Sequence, residues 1–220
     1  KRGIKQILHL GDYYDHRKYI NFKVLNHNRN NFLNKIREKG MRMDIIPGNH
    51  DTYFKNTNEL NSLKECLGHY MNEVHIVMEP TVMEYGSLKI ALLPWINQEN
   101  YEKSMNFVNN CKADWLGGHL ELSGFELMRG ITHQHGMDAG SFARFEKVLT
   151  GHFHCSSQRD NIWYLGAQME FFWSDAHDPK YFHILDTETR EIEKIRNTYT
   201  LFEKIVYNDE KMLYNNYDTS

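Results

Sequence analysis

The stretch of sequence that decides the fold runs from residue 7 to residue 18 and reads ILHLGDYYDHRK. Its first four residues form a short apolar run, which stops directly at Gly11 and Asp12. A short apolar run that ends in a glycine and a polar side chain is typical of a buried parallel strand followed by a functional loop. This stretch therefore predicts an α/β fold with its chemistry at the strand ends.

The same order of strand, loop and helix continues along the chain. Apolar positions at helical spacing predict helices over residues 20–39, 59–70 and 97–110. Short apolar runs predict the other strands, at residues 41–46, 74–77, 81–85, 88–93, 113–117, 148–151, 162–165, 181–185 and 191–195. Gly86 and Ser87 separate two alternating runs and indicate a hairpin turn between them.

Length and composition exclude several classes of protein. The 220 residues are enough for one large α/β domain, which we assign to residues 1–207, with a polar tail at 208–220. Lys and Arg number 26 against 29 Asp and Glu, so binding driven by net positive charge is excluded. The longest apolar run, residues 90–96, contains Pro94 and is too short to span a membrane. Three widely spaced cysteines and no visible secretory signal make a reducing cytoplasm, of a bacterial or phage-infected cell, the expected location.

Polar side chains with metal-binding chemistry follow four of the predicted strands. They are Asp12 and Asp15 after the first strand, Asn49, His50 and Asp51 after the second, then His119, and finally His152 and His154. Ligands of open α/β sheets bind outside the carboxyl ends of the strands, so these residues are expected at one sheet edge. Mixed oxygen and nitrogen donors without thiolate suit Mn²⁺, Fe or Zn²⁺. Two such ions can clamp a phosphate and activate water.

Four motifs in order carry a resemblance to a known family: GDYYD at 11–15, GNHD at 48–51, GH at 118–119 and GHFH at 151–154. Together they resemble the calcineurin-like metallophosphoesterases. Within that family the chain is similar to the Mre11/SbcD nucleases, including the recombination endonuclease subunits of T4-like phages. The resemblance extends over residues 4–200 and implies a two-sheet sandwich flanked by helices.

The resemblance also implies roles for individual residues. Asp12 would bridge two divalent ions, expected to be Mn²⁺. Asn49, His119 and His152 would complete one site, and His154 would belong to the other. His50 would act as the acid that stabilises the transition state or protonates the leaving oxygen.

The implied function is hydrolysis of DNA phosphodiester bonds by water activated at the ions. The protein would be the nuclease subunit of a Mre11–Rad50/SbcCD-like recombination and repair complex. Its expected partners are DNA, an SMC-like ATPase of the Rad50/SbcC type and a second copy of itself, with no membrane involved.

Two departures from the family pattern matter. The family's first motif, an Asp-x-His on its first strand, supplies two ligands to the site that uses His154, and nothing before Gly11 matches it. Since the chain begins at Lys1 with almost no residues before the first predicted strand, we expect that motif and its strand to lie upstream, which would leave this chain with one complete site. The other departure is the sequence Gly166-Ala167-Gln168, where relatives often carry a Gly-Ser/Thr-Pro turn.

Ordinary structural interpretations compete with these roles. Asp12 alone could cap a turn. Asp51 is expected to orient its loop, and Asp15 is expected at most to contact a ligating residue without binding an ion itself. His9 is expected to be a satisfied core residue. His133 and His135 are expected to be solvated.

The basic side chains Arg17, Lys18 and Arg129 are candidates for phosphate binding, as are Lys55 and Arg144. For any single one of them, a solvated surface charge is the commoner outcome. The aromatic stretch at 171–173 fits either a core or a partner interface.

Two other functions stay open. The chain could hydrolyse a different phosphate ester, because fold does not fix substrate. It could also be a non-catalytic interaction module that keeps the fold without full metal binding.

Overall fold

The molecule is built around two β-sheets that pack face to face between layers of helices. The computed structural model describes residues 2–128 and 130–206. The predicted two-sheet α/β architecture is confirmed.

The first sheet contains three parallel strands in the order β1–β2–β3, which are Gln6–His9, Arg42–Ile45 and Val74–Ile76. Within the described residues β1 lies at one edge of this sheet. That edge is where an additional first strand would pair, and the existence of that strand stays a prediction.

The second sheet contains six strands in the order β10–β11–β9–β6–β5–β4. Its four inner strands run parallel, and the outer two are antiparallel to their neighbours. In chain order the strands are β4 Thr81–Tyr85, β5 Leu88–Leu93, β6 Trp115–Gly118, β9 Lys147–Thr150, β10 Ser157–Arg159 and β11 Ile162–Tyr164. Two separate hairpins join β7 Glu126–Met128 to β8 Ile131–Thr132 and β12 Lys180–Leu185 to β13 Ile192–Asn197.

Alternation along β5 explains how the layers pack. Ile90 and Leu92 contact the core between the two sheets, which also includes Leu10 and Ile46 from the first sheet's strand ends. Ala91 and neighbouring apolar side chains on the opposite face pack instead against α4, Tyr101–Asn110. Because successive side chains of a strand point to opposite faces, this one buried strand serves two cores.

Three further α-helices lie between the strands of the first sheet along the chain; the second and third pack on that sheet, and the first buries none of its residues. They are α1 Phe22–Asn28, α2 Asn34–Glu38 and α3 Ser62–Leu67. A π-helical segment, Arg29–Leu33, joins α1 to α2, so the predicted helix over 20–39 exists as one interrupted stretch. Its second half buries Leu33 and Ile36, whereas Phe22 in its first half is 87% exposed.

Three strands were not predicted, namely β7, β8 and β10. They are two or three residues long, and β7 and β8 are exposed on every residue. Such strands are defined by hydrogen bonds to a neighbouring strand and not by burial, so their sequences need no apolar run. Within the described part of the chain, no helix is long and apolar enough to cross a membrane.

Candidate metal centre

Each of the two sheets delivers a pair of candidate ligands to one point. Asp12 and Asn49 follow β1 and β2 of the first sheet, and His119 and His152 follow β6 and β9 of the second. The sequence placed all four at one sheet edge. The structure corrects this, because two sheet edges lie side by side and the candidate site bridges them.

The four side chains meet within hydrogen-bonding distance. Asn49 Oδ1 lies 2.9 Å from both His119 Nε2 and His152 Nδ1. Asp12 Oδ2 lies 3.2 Å from His119 Nε2, and one ligand atom from each of Asp12, His119 and His152 lies within 4.8 Å of the others. Their role as metal ligands stays a prediction, but the sequence correctly brought them together.

A hydrogen bond to the main chain fixes the orientation of the His119 ring. Nδ1 of His119 lies 2.7 Å from the carbonyl oxygen of Leu10, which can only accept, so Nδ1 donates. Nε2 is thereby directed at Asp12 and Asn49. A main-chain acceptor that fixes the outer nitrogen in this way is the usual arrangement behind a histidine ligand of a metal.

Charge at the cluster favours a bound cation. Burial alone would raise the pKa of Asp12, but the facing His119 ring and the main-chain N–H of His50 lower it to about 2. Burial and the positive charge of His119 lower the pKa of His152 to about 3. Burial would lower the pKa of His119, but the Asp12 carboxylate raises it, so a divalent ion would have to displace a proton from this ring. The centre would then offer an ionised carboxylate, two neutral imidazoles and an amide oxygen. This donor set fits a divalent ion such as Mn²⁺, Fe²⁺ or Zn²⁺.

Glycines before the ligands make room for this crowding. A Cβ atom at Gly11, where φ is 91°, would lie 2.5 Å from His119 Nδ1. A Cβ atom at Gly48 would lie 2.7 Å from Cε1 of the same ring. The glycines that precede Asp12 and Asn49 in the sequence are thus required by the close approach of His119.

Asp51 orients two of the loops, as expected. It is fully buried, and its carboxylate accepts the main-chain N–H groups of Gly48, Asp12 and Tyr13 at 2.7–3.0 Å. Burial and the charge of Asp12 raise the pKa of Asp51 to about 6. One side chain therefore ties the loop after β1 to the loop after β2.

His50 lies beside the cluster without joining it. Its main-chain N–H donates to Asp12 Oδ1 at 2.7 Å, and its Nδ1 lies 2.5 Å from the carbonyl oxygen of Asp15. That carbonyl accepts from Nδ1, so Nε2 stays available to a bound substrate. The geometry suits a proton donor that is not itself a ligand.

His154 lies outside the cluster formed by Asp12, His119 and His152. Its Nδ1 is 3.7 Å from the buried carboxylate of Asp175, and its ring stacks on Phe172 with centroids 5.4 Å apart. The main-chain N–H groups of Phe171 and Phe172 and the Lys180 ammonium all donate to Asp175. Sequence reasoning missed Asp175, although a carboxylate two residues after the aromatic run at 171–173 was a signal.

The basic candidates have different surroundings. Arg17 lies over the loop of the cluster and donates to Thr52 at 3.4 Å. Lys18 is exposed, with Nζ 5.5 Å from the centre of the Tyr53 ring. Arg144 is exposed and donates to the carbonyl oxygens of Val108 and Cys111 at the end of α4, and its binding of phosphate stays a prediction. Arg129 lies outside the described residues, as do residues 208–220.

Two histidines differ from expectation. His133 was expected to be solvated, but its side chain is 15% exposed and its Nε2 lies 3.1 Å from Glu121. His9 is in the core as expected, but its Nδ1 has no hydrogen-bond partner among the described residues. Burial lowers the pKa of His9 to about 4, so the ring is neutral.

A family model described as calcineurin-like phosphoesterase matches residues 1–156. The chain belongs to this family. Among known proteins, Exonuclease subunit 1 of Enterobacteria phage T4 is 32% identical to it over 207 residues. That match covers 94% of this chain and 60% of the phage protein, so the chain spans well under two thirds of that relative.

A solved structure described as a novel archaeal phosphodiesterase also matches, with a TM-score of 0.44 and 16% identity. The match covers 89% of this chain and 85% of the archaeal chain. Members of the matched family are phosphoesterases, which agrees with the donor set at the strand ends.

Proposed function

We propose that this chain is a metal-dependent nuclease that hydrolyses phosphodiester bonds of DNA. The observation that carries the proposal is the convergence of Asp12, Asn49, His119 and His152, in which each side chain has a ligand atom 2.9–3.3 Å from that of at least one other. The similarity to a phage protein named as an exonuclease subunit supports DNA over other phosphate esters. That relative is named as a subunit, which supports a partner for this chain. We propose that the partner is an SMC-like ATPase of the Rad50/SbcC type, in a recombination and repair complex, or a second copy of this chain.

In this proposal Asp12 contributes to two ion sites, because a carboxylate has two oxygens with which to bridge. Asn49, His119 and His152 complete one site, and His154 belongs to the other. Two divalent ions, which we propose to be Mn²⁺, would supply activated water and charge neutralisation at the phosphate.

The protein's own groups do the remaining work. Asp51 holds the loops of Asp12 and Asn49 in place, and Leu10 fixes the tautomer of His119. The Asp15 carbonyl accepts the Nδ1 proton of His50. In its imidazolium form His50 would therefore keep that proton, donate its second proton from Nε2 to the leaving oxygen and end as a neutral ring. Arg17, Lys18 and Arg129 are proposed to bind neighbouring phosphates of the strand.

The test compares three substrates in the presence and absence of Mn²⁺: single-stranded DNA, bis(p-nitrophenyl) phosphate and p-nitrophenyl phosphate. A nuclease hydrolyses DNA and the plain diester with Mn²⁺ and loses both activities with EDTA. Hydrolysis of the monoester alone would instead indicate a phosphoesterase with a different substrate.

One observation favours the interaction module as a second candidate. In the part of the chain that the structure describes, a single group of three side chains could hold an ion, and His154 is not in it. A protein that binds two equivalents of Mn²⁺ and still hydrolyses none of the three substrates would support this alternative.

A further inference from the structure

A cleft of about 590 Å³ opens directly beside the metal cluster. Its walls come from residues 95–99, the first turn of α4 and the chain around Met137, and His119 is also among its lining residues. The Trp95 ring is 5.4 Å from the His152 ring and 5.8 Å from the His119 ring, centre to centre. His119 therefore belongs both to the metal cluster and to the lining of this cleft.

The charge of the cleft argues against a second phosphate. Glu99, Glu102 and Glu121 line it, and no Lys or Arg is among its lining residues. Oε1 of Glu121 lies 3.1 Å from His133 Nε2. Three carboxylates around a confined space repel an anion and favour a neutral group that donates hydrogen bonds.

The aromatic walls suit a flat ring. Trp95 packs against the candidate ligands, and its main-chain N–H donates to the carbonyl oxygen of Pro47 at 2.9 Å, which ties its loop to the loop of Asn49. Tyr101 is 49% exposed at the start of α4 and lines the same cleft. Aromatic side chains that line a groove bind nucleic-acid bases by stacking, with little dependence on sequence.

We infer that this cleft binds the base and sugar of the nucleotide whose phosphate lies at the metal cluster. Its carboxylates accept hydrogen bonds from exocyclic amino groups, so adenine, cytosine and guanine bind better than thymine, which lacks such a group. The inference rests on the proposed function, since it takes the cluster as the site of the phosphate.

The test measures binding rather than turnover. The Mn²⁺-loaded protein is titrated by calorimetry with deoxyadenosine 5′-monophosphate, thymidine 5′-monophosphate and 2-deoxyribose 5-phosphate, which share the phosphate and differ in the base. We expect the adenine nucleotide to bind about tenfold more tightly than the sugar phosphate, the effect of one stacked base, with the thymine nucleotide in between. Tyr101→Ala should remove most of that advantage, and Tyr101→Phe should keep it.

Tyr199→Ala is the matched control, because Tyr199 is 84% exposed and is not among the residues that line the cleft. Equal affinity of the wild-type protein for the three ligands overturns the inference, and so does failure of all three to bind. An unchanged ratio of affinities in Tyr101→Ala also overturns it, for example if the cleft holds a segment of a partner protein instead.

Failure of this inference is distinguishable from failure of the proposed function. If the protein hydrolyses the diester but binds all three ligands equally well, only the cleft assignment is overturned. If it binds the adenine nucleotide more tightly than the sugar phosphate but hydrolyses no substrate, only the nuclease proposal is overturned. A further titration compares an oligonucleotide with its counterpart that lacks the terminal base. Weaker binding of the abasic strand supports a nucleic-acid ligand. If the two strands bind equally well and only the mononucleotides show a preference for a base, a nucleic-acid ligand is overturned.

Discussion

The main chain at Asp12 and at His152 has positive φ angles, 55° and 83°. Residues other than glycine rarely adopt this conformation, which costs on the order of 1–3 kcal/mol each and persists only where the surroundings enforce it. At Asp12 the surroundings are visible, since the main-chain N–H is held by the Asp51 carboxylate at 2.7 Å. Two of the four candidate ligands are thus held in a strained conformation, which is common at functional sites.

His50→Ala is expected to lower diester hydrolysis by about 10²–10⁴-fold, the usual contribution of a general acid. Metal content should not change, because the side chain of His50 lies outside the ligand cluster. Turnover and elemental analysis on the same preparation check both parts. His16→Ala is the control, since His16 is an exposed neighbour that pairs with Asp15, and wild-type activity in His50→Ala would refute the role.

His119→Ala and His152→Ala are each expected to remove the same ion, because both rings contact Asn49 Oδ1 at 2.9 Å. Asp12→Asn should weaken every ion that binds, since only a carboxylate can bridge. The metal-to-protein ratio measured by elemental analysis tests this. His27→Ala, on exposed α1, should keep the wild-type ratio. If one of these variants keeps full metal occupancy, the histidine that was replaced is not a ligand.

At the scale of elements, the β12–β13 hairpin carries a pH-sensitive side chain away from the metal centre. Burial and the charge of Lys194 lower the pKa of His183 on β12 from 6.5 to about 4. The folded protein therefore binds this proton more weakly than the unfolded chain does. The contribution of His183 to the free energy of unfolding is fully present above pH 6.5 and is lost as the pH falls toward 4.

His183→Met should remove this pH dependence while keeping the volume of the side chain. Between pH 7 and pH 4.5 the wild-type protein should lose on the order of 1–2 kcal/mol more unfolding free energy than the variant, a figure reduced for solvent screening of a half-buried ring. Urea unfolding in EDTA measures the difference. Parallel curves for the two proteins would show that His183 titrates normally.

At the scale of the whole molecule, a buried carboxylate connects the two sheets. Asp44 on β2 is 5% exposed and accepts a hydrogen bond from the Tyr85 hydroxyl on β4 at 2.8 Å. It also accepts from Gln6 on β1 at 2.7 Å and lies 3.0 Å from Nδ1 of His75 on β3. This one side chain therefore links all three strands of the first sheet to the edge of the second.

Tyr85→Phe should lower the free energy of unfolding by about 2 kcal/mol, the typical contribution of a hydrogen bond to a charged group. Metal binding should stay at the wild-type level, because the link lies away from the ligands. Urea unfolding checks the first part and elemental analysis the second, with Tyr199→Phe as the exposed control. A loss below 0.5 kcal/mol would mean that the link is dispensable.

The sequence predicted the elements that local patterns define. The hairpin at Gly86 and Ser87 formed as expected, because two alternating runs on either side of a turn need no distant partner. The four predicted ligand loops also formed at strand ends. The exposed first half of the helix over 20–39 was not foreseen, since apolar spacing shows where a face could be buried and not whether another element covers it.

The sequence by itself determined the α/β class, the position of each polar side chain at a strand end and the chemical types of the candidate ligands. Only the tertiary structure decided that two sheets share the site and that the Leu10 carbonyl fixes the His119 ring. It also decided that Glu121 contacts His133 and that an acidic cleft adjoins the cluster. The reason is physical. Periodicity and turn residues act over a few positions, whereas the packing of one sheet on another is driven by non-directional burial between residues that are distant in the chain.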